Sequence, residues 1–162
     1  MAKKKRQTKA SIQKRKEIII FGVCIALIGF SLIGWFRLGF IGAVIDNSMR
    51  VVIGQYTIPY YILIIVILLL YLIRPDAFER SPIFWIGITL LSMSVILLQS
   101  LTFDRSLIGI PLIQMFFKEI PAIFSNPSAN AFGGLVGAVL YGLLSFLLDR
   151  EGVIIFIFVF FL

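Results

Sequence analysis

With 162 residues, 60% of them hydrophobic and only 14% charged, the chain has too little polar surface to cover a soluble domain of its size, which points to an integral membrane protein. The net charge of +7 belongs to a tail and not to a folded surface: eight Lys and Arg lie in the first sixteen residues, and subtracting them leaves −1 for the remainder. The absence of histidine and the single cysteine, Cys24, exclude intrachain disulfides, Cys/His zinc sites and the commonest general base.

The basic segment 1–16 precedes an apolar run over residues 18–36 that is long enough, at about 28 Å, for a membrane span. By the positive-inside rule the tail stays in the cytoplasm, where anionic lipid headgroups are its expected partner in preference to DNA. The run is too long for the core of a cleaved signal peptide, and Trp35-Phe36-Arg37 follows it in place of a small-residue cleavage site. Gly22, Ala26 and Gly29 share one face and would let a neighbouring helix pack closely.

Residues 38–53 contain Asp46, Asn47, Ser48 and Arg50. Leu38, Ile41, Ile45, Met49 and Val52 recur at helical spacing, which predicts an amphipathic helix at the outer interface. Pro59 stands near the start of a second span over residues 57–73, and the turn at 74–82, with two prolines and two arginines, is cytoplasmic. A third span covers 83–101, with Thr89, Ser92 and Gln99 on one face to hydrogen-bond neighbouring helices. Residues 102–132 lie outside, with a short interfacial helix over 110–120.

A six-residue pattern occurs twice: Gly39-Phe40-Ile41-Gly42-Ala43-Val44 and Gly134-Leu135-Val136-Gly137-Ala138-Val139. Counting forward, Gly39, Ala43, Asp46 and Arg50 share one helical face, as do Gly134, Ala138, Tyr141 and Ser145. Each run reaches a glycine suited to a helix end, Gly54 or Gly152, before a strongly apolar segment. The repeat predicts that residues 133–148 form a second outer interfacial helix, with the alternative that they span. A fourth span then begins at 153–162 and is cut within its length, since ten residues reach only about 15 Å. Glycines at 39, 42, 134 and 137 would let the interfacial helices approach the neighbouring spans, and larger side chains there are expected to impair self-association before insertion.

No Gly-Lys pair exists, so there is no P-loop, and no Gly-x-Ser-x-Gly elbow occurs. No catalytic, cofactor-binding or metal-ligating residue is expected in this chain, and the spans lack the buried ionisable residue usual in a proton- or ion-coupled transporter.

These features together resemble the N-terminal membrane region of the FtsK/SpoIIIE family of bacterial DNA translocases. The likeness rests on Met1-Ala2-Lys3-Lys4-Lys5-Arg6, on Leu38-Gly39-Phe40-Ile41-Gly42-Ala43, on Gly54-Gln55-Tyr56-Thr57-Ile58-Pro59, and on Gly133-Gly134-Leu135-Val136-Gly137-Ala138 with Gly152 before the last run. The resemblance implies an all-α membrane anchor of four transmembrane helices at the division septum of the bacterial inner membrane. It also implies self-association, septal partners, and a separate motor domain that uses ATP and magnesium and moves DNA. The rival readings are a small polytopic channel or export component, for which Thr89, Ser92 and Gln99 would line a pore, and a stand-alone accessory protein of the envelope.

Overall fold

The computed structural model describes residues 9–74, 82–104 and 106–161, and the described residues form six α-helices and no strand. In chain order these are α1 Lys9–Trp35, α2 Gly39–Ile53, α3 Ile58–Ile73, α4 Pro82–Ser100, α5 Ile110–Ser125 and α6 Gly134–Phe161. The second half of the basic segment forms the first turns of α1, while residues 1–8 and nearly all of the expected cytoplasmic turn lie outside the described residues.

Two stretches are long and apolar enough to cross a membrane, Lys14–Trp35 and Pro82–Ser100; α2 and α3, bent by 102° at their junction, make a third if the pair counts as one span. By itself α3 has 16 residues, about 24 Å against a hydrocarbon core of about 30 Å. Two or three candidate spans therefore stand where the sequence predicts four. The expected interfacial helix at 110–120 extends further, to Ser125, and carries Pro121 within it.

The distribution of polarity in α2 is the reverse of that in a water-soluble protein. Asp46, Asn47 and Arg50 are buried, whereas Leu38, Phe40, Ile41 and Val52 are exposed, Phe40 to 83%. Burial of charge beneath an apolar exterior suits a surrounding of lipid, which cannot solvate a carboxylate or a guanidinium. Along α1, Ile18, Phe21, Ile25 and Phe30 are likewise exposed.

The six-residue match marks a repeat in the backbone itself. Arg37 and Gly39 both take positive φ, at 49° and 60°, and Phe132 and Gly134 repeat this at 48° and 68°. Fifteen residues after Gly39 the chain breaks at Gly54 (φ 100°, ψ −169°), and fifteen residues after Gly134 it breaks at Asp149 (φ 53°, ψ −178°). The second break was expected at Gly152. It falls three residues earlier because the spacing from the opening glycine is kept, and Gly152 lies within the helix that follows. Each unit is thus a long helix, a left-handed turn, a helix of about four turns, a break, and an apolar helix. The units are α1–α2–α3 and α4–α6, with α5 inserted into the second.

Close approaches fall at the ends of the long helices. A Cβ on Gly42 would lie 2.4 Å from the Ile33 carbonyl oxygen, and one on Gly137 would lie 2.2 Å from Ser100 Oγ. Both glycines therefore serve packing within the chain. Gly34, near the end of α1, is similarly closed in by Ile45 and Tyr61, each at 2.7 Å. No described helix of this chain packs on the stripe at Gly22, Ala26 and Gly29: Gly22 and Ala26 are exposed, and a Cβ on Gly22 or Gly29 would meet nothing within 4 Å. The crossing lies one to two turns further along, where α2 and α3 return.

The main apolar core belongs to the second unit and α5. Leu112, Phe116 and Ile123 of α5 pack with Ala138, Tyr141, Val153 and Ile157 of α6 and with Leu97 of α4. Phe103 stacks on Phe132 with ring centroids 4.3 Å apart and meets Phe116 edge-on at 6.3 Å.

Candidate functional site

The two units use the same helical face differently. In α6 the face carries Ala138, Tyr141 and Ser145, all buried, and it packs into the aromatic core. In α2 the matching positions Asp46 and Arg50 are buried as well, but as part of an ionic network. The first unit has no helix inserted within it; the end of α5 reaches across to α2 at Phe124, and polar groups from four segments converge there.

Asp46 is the hub. It is paired with Arg37, whose Nε stands 3.2 Å from Oδ2. Its Oδ1 accepts hydrogen bonds from Thr57 Oγ1 at 2.8 Å and from the Tyr61 hydroxyl at 3.4 Å. Thr57 occupies the N-cap of α3 but caps no backbone amide of that helix with its side chain; the hydroxyl is turned to Asp46. Arg37 also donates from Nη2 to Asn47 Oδ1 at 2.8 Å, and Asn47 Nδ2 donates to the Phe124 carbonyl at 2.9 Å. Arg50, one turn beyond Asp46, donates from Nη2 to the Ala129 carbonyl. The left-handed turn at Arg37 swings its side chain back over α2, and the junction of α2 with α3 delivers Thr57 and Tyr61 from the other side.

A second joint ties the two units together. Gln99 Oε1 accepts from the Tyr56 amide at 3.1 Å, and the Phe132 carbonyl accepts from the Gln55 amide at 3.0 Å. Gly54 and Gly134 meet here: a Cβ on Gly134 would lie 2.5 Å from the Gly54 nitrogen. Of the polar face expected on α4, only Gln99 reaches another segment with its side chain. Ser92 contributes its carbonyl, which accepts from the Tyr60 hydroxyl at 3.1 Å, while Thr89 is exposed and bonds back to the Trp85 carbonyl. Among the described residues, the three side chains share no path through the helices.

A cleft of about 290 Å³ opens beside the network, lined by Trp35, Arg37, Asp46, Arg50, Gln55, Tyr56 and Thr57 together with Ile58, Pro59 and Pro127. Two guanidinium groups and one carboxylate line it, a local surplus of one positive charge. Arg50 is 4% exposed, and its Nη1 has no hydrogen-bond partner among the described residues. No three His, Cys, Asp or Glu side chains come together among the described residues. The single buried carboxylate here is occupied by three donors, so this arrangement can clamp segments and receive an anion, but offers no free base.

The sequence placed Asp46 and Arg50 on one face and left Arg37, Asn47, Thr57 and Tyr61 without a role. Thr57 and Tyr61 stand four residues apart, the spacing of one helical face, and that signal would have paired them. The membrane character of the chain is carried by its apolar helices and the inward charges of α2. Comparison of the chain with models of protein families, with curated proteins and with solved structures found no match.

Proposed function

We propose that the chain is a membrane anchor and assembly domain, specifically that of an ATP-driven DNA translocase acting in chromosome segregation at the division septum. The observation that supports an anchor is the inverted polarity of α2: charge is held inside by Arg37, Asp46 and Arg50 while Phe40 and Ile41 face outward. The narrower identity is supported by the sequence resemblance to the FtsK/SpoIIIE membrane region. In this reading there are four spans, with α3 and the part of α6 after Asp149 returning toward the cytoplasm. The basic tail also lies on the cytoplasmic side, and α2 with the first half of α6 lies at the outer interface. The domain works mechanically: it holds a motor at the membrane, and association of several copies raises the motor's effective concentration for ring assembly.

The rival channel reading rests on Thr89, Ser92 and Gln99; within the chain Gln99 accepts from the Tyr56 amide and Thr89 bonds back to the Trp85 carbonyl. The test is to express the chain with a fluorescent protein at its C-terminal end in dividing bacteria. Enrichment at the septum together with recovery in the washed membrane fraction is the expected result. Uniform membrane fluorescence would overturn the septal assignment, and recovery in the soluble fraction would overturn the anchor.

A further inference from the structure

The cleft beside the ionic network has a position, a charge and a shape that its structural role does not use up. It lies where the candidate span Lys14–Trp35 ends, the depth at which phospholipid headgroups sit whichever way the chain is oriented. Trp35 and Tyr56 line it, residue types suited to that boundary because a polar tip accompanies an apolar ring. The Arg37 side chain is 34% exposed at the cleft, with one edge already engaged by Asp46 and Asn47. Arg50 is buried, holds the Ala129 carbonyl with Nη2, and keeps Nη1 unpartnered. A buried guanidinium with an idle N–H group is poorly satisfied unless an acceptor reaches it. The acceptor best matched to a guanidinium fork is a phosphate or carboxylate.

We propose that this cleft binds the phosphodiester of an anionic phospholipid, with Arg50 Nη1 and the free edge of Arg37 as donors and Trp35 and Tyr56 against the glycerol region. The inference rests on the membrane reading of α1, and membrane fractionation tests that reading separately from lipid binding. The comparable cleft at the second break, lined by Asp149, Arg150 and Glu151, also contains a guanidinium nitrogen without a partner, Arg150 Nη1. Two carboxylates and one guanidinium line that cleft, so it lacks the positive surplus that would select an anion. The duplicated architecture therefore has one lipid site and not two.

The experiment uses the full chain purified in an uncharged detergent, with Trp85→Phe so that emission reports Trp35 alone. Short-chain phosphatidylglycerol is titrated, and inorganic phosphate and short-chain phosphatidylcholine are titrated in parallel. Saturable change with phosphatidylglycerol is expected. Arg50→Lys, which keeps the charge but loses the second donor branch, should weaken binding about tenfold or more, as expected for loss of a charge-assisted hydrogen bond. Gln55→Phe, which adds bulk at an exposed residue of the cleft wall outside the network, should abolish the response while the unfolding midpoint without lipid stays at the parent value. Saturable binding that survives both substitutions would overturn the site, and so would no saturable response in the parent. An equal response to inorganic phosphate would overturn the lipid as occupant, and an equal response to phosphatidylcholine would overturn selection by charge.

Discussion

Replacing Gly42 by alanine should destabilise the fold, whereas the same change at Gly22 should not. The added Cβ at Gly42 would stand 2.4 Å from the Ile33 carbonyl oxygen and 2.7 Å from the Arg37 carbonyl carbon. Both are backbone atoms, one in the last turn of α1 and one in the turn that follows it, and no side-chain rotation relieves the contact. Restoring ordinary separation moves α2 away from α1 by about 1 Å, and overpacking of this kind destabilises by about 3 kcal/mol at the upper end of its range. Alanine is the better helix former by about 1 kcal/mol, which leaves a net loss of about 2 kcal/mol. Because Arg37 is part of that contact, the displacement also disturbs its pairing with Asp46 and Asn47. At Gly22 the Cβ meets nothing within 4 Å, so only the propensity gain remains and the change is neutral or stabilising. Reversible unfolding in mixed micelles, followed by circular dichroism, measures both variants. A Gly42→Ala protein as stable as the Gly22→Ala protein would refute the close crossing of α1 and α2. At Gly42 and Gly137 a larger side chain meets atoms of the chain itself, so a loss of fold stability is expected beside the effect on self-association.

Asp46→Ala should be among the most damaging single changes, about 3 to 5 kcal/mol, because it strands a buried guanidinium network; unfolding in micelles reads this directly, and a loss below about 1 kcal/mol would contradict the hub. Gln99→Leu should cost about 1 to 3 kcal/mol by leaving the Tyr56 amide without its acceptor, and amide hydrogen exchange at Tyr56 should rise in parallel. For Gly137, a compensating change is informative: Gly137→Ala should be partly rescued by Ser100→Ala, which removes the atom 2.2 Å away, and additive losses in the double variant would deny that contact. Replacing the eight basic residues of the first sixteen by Gln should reduce binding to anionic vesicles in a salt-dependent way, by about 1 kcal/mol for each charge near the surface; unchanged vesicle binding would remove the lipid role of the tail.

Helix identity was readable from the sequence because apolar runs and glycine breaks state it directly: α2, α3 and α4 begin and end within a residue of expectation, whereas α1 ends where expected but starts at Lys9, nine residues before the apolar run, because the basic segment continues the same helix. The stripe shared by the two repeats was also readable, without its depth: Asp46, Arg50, Ala138, Tyr141 and Ser145 are buried, whereas Gly39 is exposed and Ala43 only partly covered. Three things were not. Positive φ at Arg37, Phe132 and Asp149 leaves no mark in residue type, so the second break was misplaced at Gly152. The crossing point on α1 carried no signal, because Gly34, enclosed by Ile45 and Tyr61, has no periodic partner of the kind that Gly22, Ala26 and Gly29 offer. The network itself depends on Asn47 and Phe124 meeting across a sequence separation of 77 residues, and local pattern carries no information about such a meeting.

The repeat is the central claim, and it requires both breaks to lie on one side of the membrane. In a Cys24→Ser background, Gln55→Cys and Glu151→Cys place thiols at exposed positions after the two breaks, and Arg74→Cys places one at the far end of α3. A membrane-impermeant maleimide applied to intact cells should label positions 55 and 151 and spare position 74, which should react only after the membrane is opened. Labelling of position 55 but not 151 in intact cells would mean that residues 133–148 cross the membrane, and the two units would no longer be copies of one design.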